Sequence, residues 1–184
     1  MRSLSIGLLH FPVLDAQGAV VTTAITNLDI HDLARSARSY GCASYWIVHP
    51  IEAQRALVER IQDHWTHGSS ARRIPTRKDA LALLRVVPSL EDMIASHGGR
   101  EQVELWVTAA RSVGEPIPFA EARARLEGEG KPVVILFGTG WGIAGEVVRG
   151  ADLLLPPIRA SVDAGYNHLS VRSACAITLD RLRG

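Results

Sequence analysis

Apolar runs of strand length alternate with stretches in which apolar positions recur every three or four residues. This is the pattern of an α/β domain with a mainly parallel sheet flanked by helices. Strands are expected at residues 4–9, 43–48, 103–108, 133–137 and 153–155, with a sixth near 84–87. Capping residues set the helix starts. Asp29 precedes Ile30, Leu33, Ala34 and Ala37, and that segment stops at Gly41; Ser89 has Asp92 three residues on, and Thr76 has Asp79. Pro50 suits the first turn of a helix carrying Ala53, Leu57, Val58 and Ile61, while the helix over 119–126 ends at Gly128-Glu129-Gly130. The last segment, 170–182, places Val171, Ala174, Cys175, Thr178, Leu179 and Leu182 on one face of an amphipathic helix. Two connections, 12–27 and 156–168, are longer than topology requires, and such loops are more often functional than idle.

Composition narrows the class. The 184 residues, 47% hydrophobic and 21% charged, fit one globular domain over residues 1–184. Twenty basic residues against nineteen acidic ones leave a formal +1, which excludes a chain that coats nucleic acid through bulk charge. Any RNA contact must come from a local patch. The clearest is the acid-free stretch 64–78, with Arg72, Arg73, Arg77 and Lys78, which is either a solvated surface or a set of phosphate contacts. Trp65 beside it either stacks on a base or is partly buried. Cys42 and Cys175 lie in apolar segments and are expected as reduced thiols of a cytoplasmic protein. No signal peptide and no run of ~18 apolar residues is present, so no membrane association is expected. His64 and His67 stand three apart without a completing Cys or acidic pair, and no metal is expected.

The chemistry concentrates in the C-terminal third. Residues 132–137 run straight into Gly138-Thr139-Gly140-Trp141-Gly142, where the absence of Cβ atoms lets backbone N–H groups approach a ligand. Gly140, Gly142 and Gly145 satisfy G-x-G-x-x-G, yet the dinucleotide fingerprint belongs to a first βα turn, and only 39 residues follow Gly145. The glycines either cradle a ligand or merely permit a tight turn. Two further segments end strands in similar fashion: Thr108-Ala109-Ala110-Arg111, and Leu155-Pro156-Pro157-Ile158 followed by Tyr166-Asn167-His168-Leu169-Ser170. Three strand ends thus converge on one kind of site.

On these three ordered segments the sequence resembles the SPOUT superfamily of S-adenosylmethionine-dependent RNA methyltransferases, closest to a small stand-alone bacterial branch. The resemblance implies a C-terminal deep trefoil knot, a homodimer, and S-adenosylmethionine bent in the knot. It places the adenine among Leu155, Pro156, Pro157, Ile158, Tyr166, Asn167, His168, Leu169 and Ser170. Gly138, Thr139, Gly140, Trp141 and Gly142 then lie beneath the ribose and methionine, with Thr108 and Ala109 alongside. Asn167 stands apart from Ser170, unlike the Asn directly before Val-Ser in better-known ribose methyltransferases, so the acceptor atom stays open. Methyl transfer is an in-line displacement dominated by positioning. Arg159 and Asp163 are expected near the reacting nucleotide, where Asp163 either accepts a proton or only shapes the turn before Ala164-Gly165. The expected substrate is tRNA or rRNA; the rival readings are an inactive RNA- or nucleotide-binding module and, less favoured, an NAD-binding protein.

Overall fold

The computed structural model describes residues 1–110, 114–159, 161 and 165–184, apart from the side chain of Ser70. Leu4–Leu9 forms β1, buried at every position, as a central parallel strand covered on both faces should be. Inside the long first connection lies an antiparallel hairpin, β2 (Val13–Leu14) and β3 (Val20–Val21). Helix α1 (Asn27–Ser39) leads to β4 (Tyr45–Val48); α2 (Glu52–Thr66), α3 (Ser69–Arg73) and α4 (Pro75–Leu81) lead to β5 (Leu84–Val87). The second half runs α5 (Leu90–Ser96), β6 (Glu104–Val107), α6 (Phe119–Glu127), β7 (Val133–Gly138), α7 (Gly145–Arg149), β8 (Leu153–Leu154) and α8 (Val171–Arg183).

All six expected strands form one parallel sheet in the order β5-β4-β1-β7-β6-β8. The chain builds outward from β1 through β4 to β5, then returns to build the other half. The order therefore reverses between β1 and β7, and the crevice beyond the carboxyl ends of strands at such a reversal is where open α/β sheets bind ligands. One face of the sheet, with Ile6, Leu8, Tyr45, Trp106, Ile135 and Phe137, packs against α1, α2, α6 and α8. The other, with Leu9, Val48, Leu105, Val107 and Leu136, is covered by α5, α7 and the hairpin.

Three helix starts differ from expectation. The cap of α1 is Thr26, whose hydroxyl oxygen accepts the N–H of Asp29 at 3.2 Å and whose O–H donates to the Asp29 carboxylate at 2.6 Å. Asp29 is thus the third residue of the helix, paired back to its cap. Helix α4 starts at Pro75 with Ile74 at the cap, not at Thr76, because proline's fixed φ favours the first helical position. Pro50 stands one residue before Ile51, the cap of α2. The five-residue helices α3 and α7 were too short to show periodicity.

Candidate active site

Beyond the ends of β6, β7 and β8 lies a cavity of about 620 Å³, within the ~300–1,000 Å³ usual for small-molecule sites. Thr108 and Ala109 reach it from β6, and Gly138, Thr139, Gly140, Trp141 and Gly142 from β7. Pro156 and Ile158 come from the exit of β8, and Asn167, His168, Leu169 and Ser170 from the approach to α8. Leu155, Pro157 and Tyr166 do not line it. Leu155 is buried and prolongs the sheet by donating its N–H to the carbonyl of Val107 at 2.9 Å. Pro157 is half-buried beside it. Tyr166 is exposed and meets His168 at the rim, ring centroids 5.4 Å apart. His168 in turn meets Trp141 at 6.1 Å, edge to face.

The glycine loop is clasped by the hairpin of the first connection. Trp141 donates its N–H to the carbonyl of Leu14 at 2.9 Å, Leu14 donates to the carbonyl of Gly142 at 2.8 Å, and Ala144 donates to that of Pro12 at 3.1 Å. This clasp explains the glycines better than ligand approach alone. Gly140 has φ +59°, and a Cβ there would meet the Leu14 carbonyl oxygen at 2.7 Å. At Gly142, φ +118°, a Cβ would enter open space, so only the backbone conformation demands glycine.

Beneath the clasp runs a directed hydrogen-bond chain. The Thr139 hydroxyl donates to the carbonyl of Leu9 at 3.2 Å, so the Thr23 hydroxyl donates to Thr139 Oγ1 and accepts from Nδ1 of His10, 3.0 Å away. The bare Nε2 of His10 is buried and has no hydrogen-bond partner among the described residues. Burial first, and His49 second, push the His10 pKa down to about 4. In His49, Nδ1 accepts the Ile51 N–H at 3.1 Å, so Nε2–H donates to the carbonyl of Thr23 at 2.9 Å. Both neutral imidazoles therefore anchor Thr23, in the segment after β3, which itself bonds the cleft-lining Thr139.

Two polar ties close the far side. Asn167 Nδ2 donates to the carbonyl of Ile158 at 3.1 Å, joining the two segments that precede α8. Arg172, in the first turn of α8, pairs with the buried Asp29 at 3.1 Å and reaches Asp32 at 3.5 Å. Asp29 and Arg172 both line the cleft, and the sequence pattern showed Asp29 only as a helix start. The hairpin clasp and the histidine pair were also missed. A signal existed, since His10 and His49 each directly follow a strand of the sheet.

The remaining expected residues lie elsewhere. Arg159 is exposed and does not line the cavity, and Asp163 falls outside the described residues, as does Arg111. Arg72 and Arg73 are exposed on α3, with Arg77 and Lys78 on α4; none lines the cleft. Arg77 lies 4.6 Å over the ring of Trp65, which is partly buried against the core. His67 pairs with Asp63 at 2.9 Å on an exposed helix face. Both cysteines are free and buried, and burial pushes the Cys42 thiol up to about 12. Leu182 is buried in the core of its own chain.

A family model described as SAM-dependent RNA methyltransferase matches residues 3–184. The chain belongs to that family. A protein of Nitratidesulfovibrio vulgaris named tRNA (guanine-N(1)-)-methyltransferase is 42% identical over the whole of this chain, which spans 42% of that relative's length. An uncharacterized protein of Aquifex aeolicus is 37% identical over 98% of this chain and 88% of its own. Among solved structures, the TrmH/SpoU tRNA modifying enzyme of A. aeolicus superposes with a TM-score of 0.60 at 13% identity, over all of this chain and 75% of that one. At that identity the likeness concerns the fold alone, and the mainly parallel six-stranded α/β sheet is the one anticipated from the sequence. The G-x-G-x-x-G of this chain follows β7, whereas a dinucleotide-binding fold would need it after the first strand.

S-adenosylmethionine is the donor that defines the family, and the residues present fit it. Phe137, Ile143, Pro156, Ile158 and Leu169 offer an apolar surface suited to a purine, while glycine backbone, Thr139, Asn167 and Asp29 supply polar groups around it.

Proposed function

We propose that the chain transfers a methyl group from S-adenosylmethionine to a nucleotide of RNA, with tRNA the favoured substrate, as one methyltransferase domain over residues 1–184. The observation that carries this reading is the convergence of three separate loops, after β6, β7 and β8, on one cavity at the carboxyl edge of the sheet. The donor, when bound, supplies an activated methyl carbon. The protein's part is then positioning. The glycine loop, fixed by the hairpin clasp, and the segments joined by Asn167 and Ile158 hold the donor; Asp163 with Arg159 receives or disperses the acceptor's proton. Guanine N1 is named for a relative more than twice as long, so the acceptor atom is not carried over with the fold.

The same proposal includes a trefoil-knotted C-terminal segment, a cytoplasmic location and a symmetric homodimer. No helix among the described residues is long and apolar enough to cross a membrane. Exposed Trp141, Tyr166 and Leu169 at the rim are apolar surface that a second copy would cover.

Two measurements test it. S-adenosylhomocysteine should raise the melting temperature where NAD does not, and labelled methyl should pass from S-adenosylmethionine to bulk tRNA. Asp163→Asn should slow transfer while leaving donor and RNA affinity near the parent's. Donor binding without transfer to any RNA would leave a binding module and remove the enzyme.

A further inference from the structure

A line of polar depressions leads from the cleft along α1. The cleft shares Ser170 and Arg172 with a shallow depression that also contains Arg35, Ser39 and Ser173. That depression shares Arg35 and Ser39 with a pocket of about 280 Å³ between α1 and α4, completed by Arg38, Thr76 and Arg77. Among the described residues, no acidic one lines this last pocket. Among the described residues, none of its three arginines forms an ion pair. Asp32, in the adjoining depression, is already reached by Arg172.

Arg35 and Arg38 are three apart on one helix face, where like charges repel. The guanidinium carbon of Arg77 lies 4.6 Å from the centre of the Trp65 ring, and His31 meets that ring edge-on at 5.3 Å. The cation–π contact keeps the guanidinium beside the ring, and arginine's several N–H donors suit an anionic partner. Three guanidinium groups and the hydroxyls of Ser39 and Thr76 line one pocket, which makes it cationic and rich in hydrogen-bond donors. An oxyanion with several acceptor oxygens satisfies it, and arginine forks match phosphate geometry.

We propose that this pocket binds a backbone phosphate of the RNA substrate, and that the path along α1 carries the strand between it and the nucleotide reacting in the cleft. The assignment rests on the RNA methyltransferase reading above. Nine helical residues separate Asp29, at the cleft, from Arg38, roughly 14 Å at ~1.5 Å each. The phosphate held is therefore a few nucleotides from the reacting one. It positions the strand without reading its sequence.

The test titrates bulk tRNA against the parent and the Arg38→Gln/Arg77→Gln variant over a salt series, with the melting response to S-adenosylhomocysteine measured on both. The variant should bind more weakly and lose about one unit of salt slope for one lost phosphate contact. Its response to S-adenosylhomocysteine should match the parent's. Arg38→Lys/Arg77→Lys should regain the slope, and Arg60→Gln/Arg125→Gln, with the same charge loss on other helices, should keep it. A parent-like slope in the pocket variant overturns the proposal. So does a melting response to inorganic phosphate that the variant loses while its RNA slope is unchanged, because the pocket is then a free-anion site. If the parent itself shows neither a donor response nor transfer to RNA, the methyltransferase reading fails first, and that is visible before any variant is compared.

Discussion

Asn167 Nδ2 lies 3.1 Å from the carbonyl oxygen of Ile158, so one side-chain amide ties the segment leaving β8 to the segment entering α8. Both segments line the cleft.

Removing that tie should loosen the donor site more than the fold. Asn167→Ala is expected to weaken S-adenosylhomocysteine binding about five- to tenfold, which corresponds to about 1–1.4 kcal/mol for one lost hydrogen bond. The melting temperature without ligand should move little. Calorimetric titration reads the first quantity and thermal unfolding the second; equal losses in both would mean that Asn167 serves the fold alone.

At Gly140 even the smallest side chain should suffice to disturb the site. The positive φ and the 2.7 Å approach of the Leu14 carbonyl oxygen to a new Cβ mean that Gly140→Ala must break the hairpin clasp or distort the loop. The cost is on the order of 1–3 kcal/mol, and donor binding should fall with it. Gly142→Ala meets no atom, so its effect should be confined to backbone strain. If the two variants bind the donor equally well, the clasp does not set the loop.

His10 gives an acid limit to stability. Its pKa is about 4 in the folded chain against an ordinary 6.5. Between those values the unfolded chain binds the proton and the folded chain does not, so stability is lost as pH falls from about 6.5 towards 4. The loss amounts to about 3 kcal/mol by the lower end. His10→Asn, which can still donate to Thr23, should flatten that part of the pH profile in urea unfolding. An unchanged acid slope would show that His10 is protonated in the fold, with Nε2 finding a partner.

Much of this was legible in the sequence because apolar runs and glycine positions are local signals. β1 reads as a buried strand from Leu4 to Leu9, the segments around Thr108, Gly138 and Ile158 read as strand exits, and Ser170 reads as the start of the last helix. The pairing partners were not legible. Nothing near Leu14 in sequence marks it as the clasp of Gly140, and Asp29 meets Arg172 across 143 positions. The basic run at 72–78 was visible as composition, whereas its junction with Arg35 and Arg38 exists only once α4 packs on α1.

The Asp29–Arg172 pair should show an asymmetric energetic coupling. The Asp29 side chain is 7% exposed and that of Arg172 31%, so losing the arginine strands a carboxylate in the interior, while losing the carboxylate leaves a guanidinium that still reaches water and Asp32. Arg172→Met is therefore expected to destabilise by about 2–3 kcal/mol, below the ~3–5 kcal/mol of a fully buried pair. Asp29→Asn, whose side-chain oxygen can still accept from the Thr26 hydroxyl, should cost about 1 kcal/mol. The double variant should cost less than the sum of the two, because the asparagine leaves no charge to strand. Both residues line the cleft, so the same three variants titrated with S-adenosylhomocysteine separate the roles. If donor affinity follows stability across the cycle, the pair is a brace for α8; if Asp29→Asn alone weakens the donor at near-parent stability, the carboxylate meets the ligand directly.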